Sequence, residues 1–158
     1  VAVLGLGNVI MSDDGVGVHV IRRLLGDRRL PATTRLIDGG TLGLELLSIA
    51  SGAKLLIVVD AVDLGIAPGT IVRLDAEELF DLERGASAHQ LGVSDLLSAL
   101  RMLSAEPDHV VLVGVQPARV SLGTELSDEV QAAIDRVAEA VVGEIGSWEE
   151  RGEVVCHA

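Results

Sequence analysis

Short apolar runs alternate along the chain with stretches in which apolar residues recur every three or four positions, and this alternation predicts βαβ units. Strands are expected at Val1 to Gly5, Thr34 to Ile37, Lys54 to Val59, Thr70 to Leu74 and His109 to Val115. The third and fifth (LLIVV and VVLVGV) are apolar without alternation, as strands covered on both faces must be. Val16, Val20, Ile21 and Leu24 share one face of a first helix, and a second is expected from Leu44 to Ala50. A third carries Leu96, Leu97, Leu100 and Leu103. The last stripe joins Val130, Ile134, Val137, Val141 and Ile145, with Glu129, Arg136 and Glu139 away from it. Ser127 precedes it as an N-cap, and Asp128 and Glu129 occupy the first turn, where the helix dipole favours acids. The order β-α-β-α-β-β-α-β-α implies a three-layer α/β/α sandwich around a mostly parallel sheet, mixed near the fourth strand.

Composition narrows this picture. A chain of 158 residues suits one domain, 1–158, with residues from about 148 onward expected as a flexible tail. With one Trp, one Phe and no Tyr, the core must be built from Val, Leu, Ile and Ala. Acids outnumber bases 24 to 12, and the net charge of −12 argues against nucleic acid and anionic membrane as partners. The single cysteine, Cys156, excludes a disulfide within the chain and suits a reducing compartment, so a cytoplasmic protein is expected. No apolar run approaches ~20 residues, and VAVLGLG reads as a first strand, not a signal peptide.

In an open α/β sheet, ligands bind beyond the carboxyl ends of the strands. Asn8, Asp13 and Asp14 follow the first strand, Asp38 the second, Asp60 ends the third and Gln116 the fifth, while His89 precedes a helix. The two glycines of Gly5-Leu6-Gly7 suggest a dinucleotide loop, with Asp38 as the ribose-binding acid. Two features oppose that reading. Ile10 stands where the third glycine would make the close helix–sheet contact, and Asp13 and Asp14 stand where pyrophosphate would sit. Two like charges about 4 Å apart repel by roughly 4 kcal/mol at an intermediate dielectric, so these carboxylates suit a cation better. Carboxylates with a histidine are compatible with zinc, iron or nickel. Metalloprotease HExxH, CxxC and Gly-x-Ser-x-Gly signatures are absent. Asp13 is assigned to capping the first helix, Asp38 to a turn before Gly-Gly, and His19, His109 and the terminal Cys156-His157 pair to no site.

Four fragments in order resemble one family, the maturation endopeptidases of nickel-iron hydrogenases. They are Gly5-Leu6-Gly7-Asn8 with Asp13-Asp14-Gly15-Val16-Gly17, Asp38-Gly39-Gly40-Thr41, Val59-Asp60-Ala61 and His89-Gln90-Leu91-Gly92. The resemblance implies a twisted five-stranded sheet and a hydrolase, aspartic-type or metal-assisted, that removes the C-terminal extension of a hydrogenase large-subunit precursor after nickel insertion. By motif it implies that Asp14, Asp60 and His89 contact the nickel and carry catalysis, and that Asp38, Gly39, Gly40 and Thr41 select the substrate. The nickel arrives on the precursor, and no tightly bound cofactor of the enzyme's own is expected. Either a carboxylate activates water or the nickel polarises the peptide carbonyl. The alternative is a noncatalytic nickel- or cofactor-binding module that docks on the precursor.

Overall fold

The computed structural model describes residues 1–41, 46–83 and 91–155. Five strands, β1 (Ala2–Leu6), β2 (Arg35–Gly40), β3 (Leu55–Ala61), β4 (Ile71–Asp75) and β5 (His109–Val115), form one sheet in the order β2-β1-β3-β5-β4. All neighbours run parallel except β4, which is antiparallel to β5 at the edge. Among the described residues the helices are α1 (Val16–Leu24), α2 (Leu47–Ala50), α3 (Ala76–Glu83), α4 (Leu91–Met102) and α5 (Asp128–Val155).

The alternation of side chains along the central strands divides the core into two layers. Val3, Ile57, Val59, Val111 and Val113 pack with α1 and α5 on one face; Leu4, Leu56, Val58 and Leu112 pack with α4 and the segment around α2 on the other. This is the expected three-layer sandwich, with the mixed pairing at the fourth strand. Among the described residues, no helix is long and apolar enough to cross a membrane.

Three local expectations change. Helix α3 was not anticipated, although its signal is present. Asp75 Oδ1 accepts from the amides of Glu77 and Glu78 at 3.1 and 2.9 Å, while Glu78 Oε2 accepts from the Asp75 amide at 2.9 Å, a reciprocal capping box. Leu103 lies beyond the end of α4 and is exposed, so it does not belong to the core stripe. The tail expected from about residue 148 is helical through Val155, because Trp148 packs against the α1/α5 core and its ring centroid lies 4.7 Å from that of His109. Cys156 and His157 lie outside the described residues, as does the start of the helix expected from Leu44.

Candidate active site at the β1–β3 crevice

From β1 the chain crosses to β2 on one side, and the next strand, β3, joins β1 on the other. The strand order therefore reverses at the carboxyl ends of β1 and β3, where α/β sheets open a crevice. The first loop is drawn into it by close backbone packing. A Cβ on Gly5 would lie 2.3 Å from the carbonyl oxygen of Gly17, and one on Gly17 would lie 2.2 Å from that of Val59. Gly17 thus supplies the close helix–sheet contact that Ile10 does not.

Residues Ser12–Gly15 form a single 3-10 turn ahead of α1 and pack against β3. Asp14 Oδ2 accepts from the Asn8 amide at 2.8 Å, closing the loop on itself. Asp60, at the end of β3, comes near enough to Asp14 to feel its charge. Desolvation pushes the Asp60 carboxyl up to about 7; the Ala61 amide, donating to Oδ1 at 2.8 Å, pulls it down, and the Asp14 carboxylate pushes it up again. Two of the three residues assigned to the metal therefore lie within electrostatic range of each other. His89 lies outside the described residues; α4 begins two residues after it, at Leu91. Among the described residues, no three His, Cys, Asp or Glu side chains gather as a metal site. Two carboxylates whose charges oppose each other are suited to a cation brought in from outside.

The Asp38–Thr41 segment lies alongside. A register shift in the β1–β2 pairing passes over Gly39, whose Cβ would meet the Leu4 and Leu6 side chains. Gly40 turns at φ +45°, and its carbonyl accepts from the Gly7 amide at 2.9 Å. Asp38, Gly40 and Thr41 line a cleft of about 150 Å³ with Gly7, Asn8, Val9, Val18 and Arg22. Arg22, which the sequence did not single out, stands 3.9 Å from Asp38, and both side chains are half-exposed.

Asp13 takes a different role from the one expected. It makes no cap to the helix that follows it. It is fully buried and reaches across to the segment after β5. Oδ2 accepts from the amides of Ala118 and Arg119 at 2.9 and 3.0 Å and from the Ser127 hydroxyl at 2.8 Å; Oδ1 accepts from the Ser127 amide at 2.6 Å. Burial raises its pKa, but the Ser127 and Arg119 amides, then the Ser127 hydroxyl and the Ala118 amide, outweigh burial and leave it below the ordinary value. Ser127 still caps α5, accepting from the Val130 amide at 3.4 Å.

Gln116 is likewise structural. Its side-chain oxygen accepts from the Leu64 and Ile66 amides, and its nitrogen donates to Asp63 and to the Pro117 carbonyl, so it holds the loop after β3 in place. Ser12 was not anticipated. It is buried at φ +52°, and its hydroxyl donates to the Ser121 carbonyl at 2.9 Å. Nothing in the sequence near Ser12 announces a partner more than 100 residues away.

The architecture and the motifs have counterparts. The family described as hydrogenase maturation protease matches residues 18–144, which begins just past the first loop and includes Asp38, Asp60 and His89. The hydrogenase expression/formation protein HupD of Rhodobacter capsulatus is 38% identical over 151 residues, covering 94% of this chain and 72% of that protein. The hydrogenase 2 maturation protease of Escherichia coli K12 is 38% identical over 144 residues, 90% of this chain and 88% of that one. The solved structure of the hydrogenase maturating endopeptidase HybD from E. coli superposes with a TM-score of 0.84 at 36% identity, covering 92% of this chain and 91% of its own. The chain belongs to the hydrogenase maturation protease family and is a hydrolase that processes protein during hydrogenase maturation.

Proposed function

We propose that this protease removes a C-terminal extension from the large-subunit precursor of a nickel-iron hydrogenase once nickel is in place, and that Asp14, Asp60 and His89 meet the nickel which the precursor carries. One observation supports this above the others: Asp14 and Asp60 lie within electrostatic range of each other at the β1–β3 crevice, and among the described residues the hydrogen bonds to their carboxylates come from the Asn8 and Ala61 amides. An arriving cation offsets the like-charge repulsion and favours the ionised form of Asp60, with release of its proton. Nickel is then part of the substrate, and an unloaded precursor lacks the bonds that would hold its scissile peptide in place. Such positioning can supply roughly 7–11 kcal/mol of a barrier. Cleavage adds water across the peptide, the hydroxyl to the carbonyl carbon and the proton to the departing nitrogen. The Asp38–Thr41 cleft receives chain on one side of that peptide. The family's description as a protease favours this reading over a noncatalytic module that docks on the precursor. In this reading the enzyme works in the cytoplasm, before its target is exported or assembled.

The test is incubation with nickel-loaded and nickel-free precursor, followed by mass measurement of the product. Loaded precursor is cut and unloaded precursor is not. Asp14→Ala, Asp60→Ala and His89→Ala each lose about 100-fold or more in rate. Enzyme treated with chelator and desalted keeps full activity on loaded precursor. Equal cleavage of both precursors, or undiminished cleavage by all three variants, would end the proposal.

A further inference from the structure

We propose that Ile10, Val120 and Leu122 form a fixed apolar crest on which the precursor protein docks, apart from the residues that meet its metal and scissile peptide. Ile10 and Val120 are each 52% exposed and Leu122 is 87% exposed, and they lie on two loops that the fold binds together. Met11 pairs in parallel with Gly123: the Gly123 amide donates to the Ile10 carbonyl at 3.0 Å and the Ser12 amide to the Gly123 carbonyl at 2.8 Å. The Gly123-to-Ile10 bond brings the backbone of Ile10 next to the peptide that follows Leu122. The Ser12 hydroxyl bond to Ser121 and the four bonds to Asp13 hold the same two loops, so these aliphatic side chains are presented to water by an ordered backbone. Apolar groups clustered on such a support indicate a contact surface, whereas scattered ones do not.

Two observations identify the occupant. The crest shares a loop with the candidate active site: Ile10 precedes by a few residues the turn in which the Asp14 amide donates to the Met11 carbonyl at 3.3 Å, so a chain held at the carboxylates passes close to it. A second copy of this chain is disfavoured, because each copy carries a net charge of −12. The protease's protein substrate remains: a folded precursor with an apolar surface beside its cleavage segment and a neutral or basic rim. This inference rests on the proposed function.

The experiment measures KM and kcat on nickel-loaded precursor, together with direct titration of binding, for Ile10→Ser, Val120→Ser, Leu122→Ser and the triple variant. Leu25→Ser is the control, since Leu25 is exposed at the far end of α1. We expect KM and Kd to rise about fivefold for Leu122→Ser and 50-fold or more for the triple variant, with kcat at saturation within about twofold and melting unchanged. Leu25→Ser stays at the wild-type value. Unchanged KM and Kd in the triple variant would overturn the crest, as would a wild-type dimer that the variants split. Wild-type enzyme that binds precursor without cutting it would remove the proposed function; loss of that binding in the triple variant would still support the crest.

Discussion

Asp13 and Asp14 are adjacent in the chain and have opposite surroundings. Asp13 is fully buried and accepts four hydrogen bonds, all from the segment after β5 and the start of α5. Among the described residues Asp14 accepts one, from Asn8 in its own loop, and its charge bears on Asp60 at the crevice. Burial depth alone does not separate structural from functional carboxylates. What separates them is how fully the fold satisfies the charge. Asp13 has its donors built in, whereas in the proposed mechanism Asp14 and Asp60 are met by a cation that the substrate brings.

Removing the satisfied carboxylate should have the largest effect. Asp13→Ala leaves the buried Ser127 amide and hydroxyl and the part-buried Ala118 and Arg119 amides without this partner and should cost about 3–5 kcal/mol, read by denaturant unfolding at pH 7. Its folded pKa lies below the unfolded value of 3.8, so the charge-dependent part of this stabilisation is present above the unfolded value and is lost as pH falls through the folded one. The difference between wild type and Asp13→Ala should therefore shrink in acid.

Asp60 should behave in the reverse sense. Its carboxyl titrates near 7 in the fold against 3.8 when unfolded, so between those values the native state keeps a proton that the unfolded chain has lost. Wild-type stability then falls as pH rises from about 4 to 7. Asp60→Asn keeps the acceptor for the Ala61 amide and removes the charge. It should be more stable than wild type by up to about 4 kcal/mol at pH 8, with no gain near pH 4, while cleavage is lost. An inactive but destabilised Asp60→Asn would mean that this carboxylate, too, belongs to the scaffold.

The smallest effect is expected at the Arg22–Asp38 pair. Both side chains are half-exposed at 3.9 Å, so Arg22→Ala should change stability by no more than about 0.5 kcal/mol. Its consequence should instead appear as altered discrimination between precursors, because Arg22 lines the cleft. A large loss of stability would sharpen the comparison by moving this pair to the side of Asp13.

Much of the fold was legible because its signals are local. The uninterrupted apolar runs of β3 and β5 and the stripe on α5 each carry their burial in their own periodicity, and the observed sheet follows them to within two residues at most ends, with β2 running on to Gly40. Helix α3 was equally local, and its Asp-x-x-Glu box was available to be read. Asp60 could be singled out since an acid closing an apolar strand has no inexpensive structural explanation, and Asp38-Gly39-Gly40 because two glycines in a row mark a backbone constraint.

The sequence by itself determined which residues enter the sheet, which ends of the strands carry polar groups, and which family those groups resemble. Only the tertiary structure decided what each polar group is for. Asp13 and Asp14 are chemically identical neighbours, and local preference allows either to cap a helix. Their roles diverge because β5 and α5 return more than 100 residues later to place Ser127 and the Ala118–Arg119 amides around one and not the other. The same return holds Ser12 at positive φ and ties the Ile10 carbonyl to the Gly123 amide. Hydrogen bonds and like-charge repulsion act over a few ångströms of space, and chain order does not specify which distant residues will lie within that range.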